Sequence, residues 1–129
     1  MSLSYALSEF GAALGVGPLD LPPQGVVNLQ LFPDCRLSIE EVDEDVLLYL
    51  LVAVPHIDAA SCLALLQACD VRTRLPHEPC VQAGLLGQGA DAQVMLLLRY
   101  PAHGLQASQL QSGVTLLDQC RRDWLGMSH

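Results

Sequence analysis

The chain has 129 residues, a length that a single domain commonly fills, so we expect one domain over residues 1–129. Its formal net charge is −8, with six arginines and no lysine, and such a negative field excludes nucleic acid and anionic membranes as natural partners. Hydrophobic residues make up 51% of the chain, which excludes a disordered tail and predicts either a very complete core or an apolar surface that a partner covers.

Signals for targeting and redox state predict a cytoplasmic protein. The first basic residue is Arg36, so no positively charged segment precedes an apolar stretch as it would in a secretory signal. The longest apolar run, Val46–Val54, has nine residues, far fewer than the roughly 20 that a membrane-spanning helix needs. The five cysteines include no C-x-x-C pair, which favours reduced thiols over a disulfide framework or a zinc site.

The first predicted element is a helix over residues 2–14, because apolar side chains recur there at helical spacing. The predicted stripe consists of Leu3, Leu7, Phe10 and Leu14. Gly15 is well placed to end this helix, and the Gly- and Pro-rich segment 15–25 excludes another long helix directly after it.

Three strands are predicted next. Residues 26–31 and 36–40 alternate apolar and polar side chains, as half-buried strands do, and Pro33 and Asp34 supply the turn between them. An acidic turn follows, and the all-apolar run 46–54 predicts a third strand that is buried on both faces.

The second half of the chain predicts a helix, a hairpin and a closing helix. Asp58 can cap the first of these helices, and residues 80–86 and 92–100 predict a hairpin around a Gly-rich turn. The apolar face of the middle helix is predicted to hold Cys62, Leu65, Leu66 and Cys69, and that of the closing helix, 107–125, to hold Leu110, Val114, Leu117 and Trp124. The predicted fold class is therefore α+β: about five antiparallel strands and three helices in the order α-β-β-β-α-β-β-α.

Candidate chemical sites are weak. The acids of Glu40–Asp45 lack the spacing of a calcium loop and indicate a solvated turn. The sequence His77-Glu78-Pro79-Cys80 lacks the second cysteine of a zinc deaminase, and a thiol or hydrolytic enzyme that uses Cys80 with His77 stays open as an alternative. We predict no enzyme activity and no catalytic, metal or cofactor-binding residue.

Several stretches carry a family resemblance. They are LSEFGAALGVGPLDL, VVNLQLFPDCRLSIE, VLLYLLVAVP, LALLQACD and the terminal RRDW. In this order, within a small acidic chain, they resemble the class I chaperones of bacterial type III secretion systems, the Tir-chaperone family, over nearly the whole length. The resemblance implies a cytoplasmic bacterial homodimer without ATP use or cofactor. Its client would be the N-terminal chaperone-binding segment of a secreted effector, held soluble and ready for export, and a secretion-system ATPase would be a further partner.

The resemblance also implies two sets of site residues. The effector-binding set is Leu3, Leu7, Phe10, Leu29, Leu31 and Phe32. The dimer-interface set is Cys62, Leu63, Leu65, Leu66 and Val81. The alternative function is that of an adaptor or regulatory protein-binding module of similar fold that takes no part in secretion.

Overall fold

The structure is a computed structural model, described for residues 3–17, 19, 25–54, 58–70, 80–87 and 92–127. The elements are α1 (Leu3–Leu14), β1 (Val26–Phe32), β2 (Cys35–Val42), β3 (Asp45–Ala53), α2 (Ala59–Ala68), β4 (Gln82–Leu86), β5 (Gln93–Pro101) and α3 (Ala107–Met127). The predicted fold class and element order are confirmed. Of the helices in these ranges, not one combines the length and apolar character required to cross a membrane.

The strands form one antiparallel sheet in the order β1-β2-β3-β5-β4, so β1 and β4 are its two edges. Leu48 of β3 lies opposite Ile39 on one side and Leu98 on the other. Side chains alternate along each strand, so this register places the buried side chains of the central strands on one face. We call it the core face, and it holds Cys35, Leu37, Ile39, Val46, Leu48, Leu50, Val52, Val94, Leu96, Leu98 and Tyr100.

A layer of helices covers the core face. α3 contacts both β3 and β5, and α1 and α2 each contact α3. The close approach of α3 depends on Gly113, where an added Cβ would lie 2.5 Å from Tyr100 Oη and 2.7 Å from Leu48 Cδ2. The indole N–H of Trp124 donates a hydrogen bond of 3.1 Å to the carbonyl oxygen of Ser61 and so joins α3 to the first turn of α2. The fold is thus a two-layer α+β sandwich.

Local signals define the ends of the elements as predicted. Asp58 is the N-cap of α2, where its carboxylate accepts a 2.8 Å bond from the backbone N–H of Ser61. Gly15 follows α1 with φ of 83°, in the left-handed region that glycine adopts readily. Of the acids of Glu40–Asp45, Asp43 and Glu44 form the hairpin turn between β2 and β3. The others lie at the ends of the two strands, where Asp45 pairs with Arg99 at 2.8 Å. Within the described ranges, His, Cys, Asp and Glu side chains form no group of three or more that could hold a metal ion.

Two predicted helix faces differ from the structure. Leu14, the last residue of α1, is exposed rather than part of the buried stripe that Leu7 and Phe10 form. On α2 the inward residues are Ala64, Leu65 and Ala68, whereas Leu66 faces outward. α2 is apolar nearly all round, so its sequence pattern did not define the side that packs on α3.

The other side of the sheet, which we call the open face, is only partly buried. It carries Leu47, Tyr49 and Leu51 of β3, and of these Leu51 is buried but lies outside the main core cluster. Ser38 is fully buried on this face, and its hydroxyl donates a 2.6 Å bond to Asn28 Oδ1. The prediction that the third strand is buried on both faces therefore holds fully for the core face and only in part for the open face.

Burial makes the fold sensitive to alkali. It raises the pKa of the Tyr100 hydroxyl above its ordinary 10.0 and the pKa of the Cys35 thiol above 9.0. The resulting stabilisation is present below these ordinary values and is lost as the pH rises through the higher folded-state values. We expect the free energy of unfolding in urea to fall between about pH 8 and about pH 11, and to fall less in Tyr100→Phe. An equal fall in the variant would contradict a contribution from Tyr100.

Candidate functional site

Large apolar side chains remain exposed in several places on the described surface. They are Tyr5, Leu14, Val16, Phe32, Leu63, Leu66, Leu85 and Leu86. Scattered exposed apolar residues are ordinary, but here they concentrate on α1 and its exit, at the end of β1, on α2 and on β4. These places include both edges of the sheet.

The outer edge of β1 offers a line of backbone hydrogen-bonding groups. The N–H of Glu41 donates to the carbonyl of Gly25 at 3.2 Å, which makes these two residues a hydrogen-bonded pair. Hydrogen-bonded and non-bonded pairs alternate in an antiparallel ladder, so the N–H and C=O groups of Val26, Asn28 and Gln30 point away from β2. No described strand pairs with this side of β1. The edge can therefore accept one more extended chain.

Apolar side chains lie beside this edge. Leu29 and Leu31 are half-buried against the core, and Phe32 is 45% exposed at the end of the strand. The pairing with β2 shifts between Gln30 and Phe32, which leaves Leu31 in an irregularity of the ladder. We call Leu29, Leu31 and Phe32 the β1 patch. These three predicted effector-binding residues are thus brought together.

The other three predicted effector-binding residues belong to α1. Leu3 is half-buried, and Leu7 and Phe10 are completely buried at 0% exposure. In the free protomer Leu7 and Phe10 can support a binding surface from beneath but cannot contact a client directly. Their assignment to the effector site stays a prediction.

The predicted dimer-interface residues are likewise partly exposed and partly buried. Leu63 and Leu66 are 57% and 66% exposed on α2, and we call this pair the α2 patch. Cys62 is half-buried, whereas Leu65 and Val81 are buried inside the protomer. Leu85 and Leu86 of the edge strand β4 are also exposed, and the sequence analysis did not single them out. The only signal for them in the sequence is their position next to the Gly-rich turn. The dimer interface stays a prediction.

The cysteines are all thiols without a disulfide. Cys35 and Cys120 are buried, Cys62 and Cys69 are half-buried, and Cys80 is exposed. His77, which the enzyme alternative requires as a base for Cys80, lies outside the described residues.

Comparison with known proteins shows which solved structures share the fold. No family model and no curated protein matches the sequence. The Yersinia pestis type III secretion chaperone SycH, solved in complex with a stable fragment of YscM2, matches with a TM-score of 0.69 and 16% identity, over 94% of this chain and 98% of its own. A chain of the HopA1–SchA chaperone–effector complex matches with a TM-score of 0.63 and 21% identity, over 92% of this chain and 89% of its own.

A solved structure that is not described as a chaperone matches as well. YbjN of E. coli, a putative transcription regulator, matches with a TM-score of 0.58 and 17% identity, over 93% of this chain and 87% of its own. The chain therefore has the fold of type III secretion chaperones, which confirms the resemblance seen in the sequence at the level of the fold.

Proposed function

We propose that the protein is a non-enzymatic secretion chaperone of the bacterial cytoplasm. Its client is an extended segment near the N-terminus of a type III secreted effector. The observation that carries the proposal is the outer edge of β1, which pairs with no described strand and lies beside the β1 patch, on a fold whose solved neighbours include chaperone–effector complexes.

Strand addition explains how such a client is held. Backbone groups of Val26, Asn28 and Gln30 form hydrogen bonds to an added strand whatever its sequence, whereas the β1 patch selects apolar side chains at alternate client positions. A disordered client pays an ordering cost on binding, so its affinity stays moderate although the buried area is large. This suits a client that must be released for export.

A homodimer formed through the α2 patch completes the proposal. Two exposed leucines on one short helix are poorly solvated, and a second copy of the same face can cover them by two-fold symmetry. A secretion-system ATPase is a further proposed partner, which would receive the loaded complex. A regulatory adaptor of the same fold would share the dimer but not the secreted client.

The proposed function is tested by a pull-down with the tagged protein from a lysate of its native host. The tagged protein is expected to retain one secreted protein, whose N-terminal segment resists limited proteolysis in the complex and is cut when free. Leu31→Ser is expected to weaken capture about tenfold while the oligomeric mass stays unchanged, because it removes apolar area at the β1 patch only. The matched variant Thr115→Ser, on an exposed position of α3, should change neither. Capture of cytoplasmic regulators alone would favour the adaptor, and full capture by Leu31→Ser would remove the β1 patch from the site.

A further inference from the structure

The exposed ring of Phe32 has a fixed partner. The guanidinium carbon of Arg121, on α3, lies 4.8 Å from the centroid of this ring. A cation within about 6 Å of an aromatic face is attracted by the ring quadrupole. One side of the ring is therefore occupied by a cation, while the side chain as a whole remains 45% exposed.

Arg121 is itself held in place. Its Nη2 and Nε atoms lie 2.8 Å and 2.9 Å from Asp118 Oδ1, and its side chain is only 14% exposed. Such a charge-assisted contact, one turn away on the same helix, removes most of the rotamer freedom of a long side chain. Arg122 pairs with the other oxygen of Asp118 at 3.2 Å but is 58% exposed, so it is a natural control.

The backbone around the ring is fixed as well. The side-chain amide of Gln30 donates to the carbonyl oxygens of Phe32 and, at 3.3 Å, of Cys35. The thiol of Cys35 is buried, and Arg121 and Asp118 both lie close enough to influence its pKa. The end of β1, the turn after it and α3 are thus joined at one point.

We infer that Arg121 is a positioning residue for client binding: it holds the Phe32 ring as a rigid apolar wall at the outer edge of β1. The inference rests on the function proposed above and adds a residue that contacts no client itself. An exposed phenylalanine ordinarily loses rotamer freedom when a client binds. Here the guanidinium restricts the ring before the client binds, so binding causes a smaller loss of rotamer entropy. The client contacts the opposite side of the ring through an apolar side chain.

Fluorine NMR tests whether the contact exists in solution. The chain has two phenylalanines, so labelling with 4-fluorophenylalanine gives two signals, which Phe32→Leu assigns. Arg121→Gln is expected to move and sharpen the Phe32 signal, because the ring is released from the cation. Arg122→Gln should leave it in place, and the signal of the buried Phe10 reports that the fold is intact in each variant. An unchanged Phe32 signal in Arg121→Gln overturns the inference.

Affinity tests whether the contact matters for binding. The probes are 20-residue peptides enriched from a phage-displayed random library on the wild-type protein, and the peptide most sensitive to Phe32→Leu is used. Arg121→Gln is expected to weaken its binding about threefold to tenfold. Arg122→Gln should stay within about twofold, as expected of an exposed ion pair. The double variant Arg121→Gln/Phe32→Leu should bind no more weakly than Phe32→Leu alone, because Arg121 acts through the ring.

The outcomes separate the two proposals. If the wild type binds the peptide and the double variant loses the product of the two single-variant losses in affinity, the positioning role of Arg121 is overturned. The proposed function then stands. Enriched peptides that are all insensitive to Phe32→Leu also overturn the positioning role. A wild-type protein that enriches no peptide and captures no secreted protein overturns the proposed function, and the positioning role with it.

Discussion

Leu66→Asp is expected to reduce the proposed dimer to a protomer of 13.9 kDa without unfolding it. Leu66 is 66% exposed on α2, so a carboxylate there is well solvated in the protomer. In a symmetric interface the same carboxylate would lie in an apolar contact opposite its copy, which costs several kcal/mol through desolvation and like-charge repulsion. A cost of about 3 kcal/mol would weaken dimerisation by more than a hundredfold. Light scattering at several protein concentrations measures the mass.

The matched control is Gln111→Asp, which adds the same charge to an exposed position of α3. We expect it to keep the mass of the wild type. Circular dichroism should be unchanged in both variants. A wild-type protein that already has the mass of one protomer, or a Leu66→Asp variant that keeps the mass of two, would contradict the proposed role of the α2 patch.

Gly113→Ala is expected to lower the free energy of unfolding, although alanine is the better helix former. Its Cβ would lie 2.5 Å from Tyr100 Oη and 2.7 Å from Leu48 Cδ2, both on the core face. Overpacking a well-filled core typically costs about 1–3 kcal/mol, whereas the gain in helix propensity is about 1 kcal/mol. The difference leaves a net loss of up to about 2 kcal/mol, which urea unfolding followed by circular dichroism measures.

Gly126→Ala is the control on the same helix. Apart from its chain neighbours and the adjoining backbone of α3, no described atom lies within 4 Å of an added Cβ at Gly126. Only the propensity gain therefore applies, and stability should rise by up to about 1 kcal/mol. Both variants must be compared with the wild type at one protein concentration, because the proposed dimer would also contribute to apparent stability. A Gly113→Ala protein as stable as the wild type would show that α3 can move away from the sheet at little cost.

The sheet was predictable because strand patterns are local. Alternation placed Val94, Leu96, Leu98 and Tyr100 on one side of the last strand, and these four side chains lie on the core face as expected. The cap at Asp58 was equally local, since it depends on groups three residues apart. Such signals need no knowledge of distant contacts.

The candidate site was less predictable, because it depends on which apolar residues the rest of the fold leaves uncovered. α2 is apolar nearly all round, so its pattern could not show that Leu65 packs inward and Leu66 outward. The contact between Phe32 and Arg121 joins a strand end to a distant helix, and no periodicity links the two positions. Phe10 has the same apolar character as Phe32 but lies in the core, a difference that only tertiary packing decides.

The hydrogen bond from Trp124 to Ser61 gives the protein an intrinsic optical reporter. Trp124 is the only tryptophan of the chain, and its indole is buried where α3 contacts the first turn of α2, the helix that carries the α2 patch. Indole emission responds to the loss of a hydrogen bond and to contact with water. Separation of α2 from α3 can therefore be followed by the intensity and wavelength of native fluorescence, in unlabelled protein.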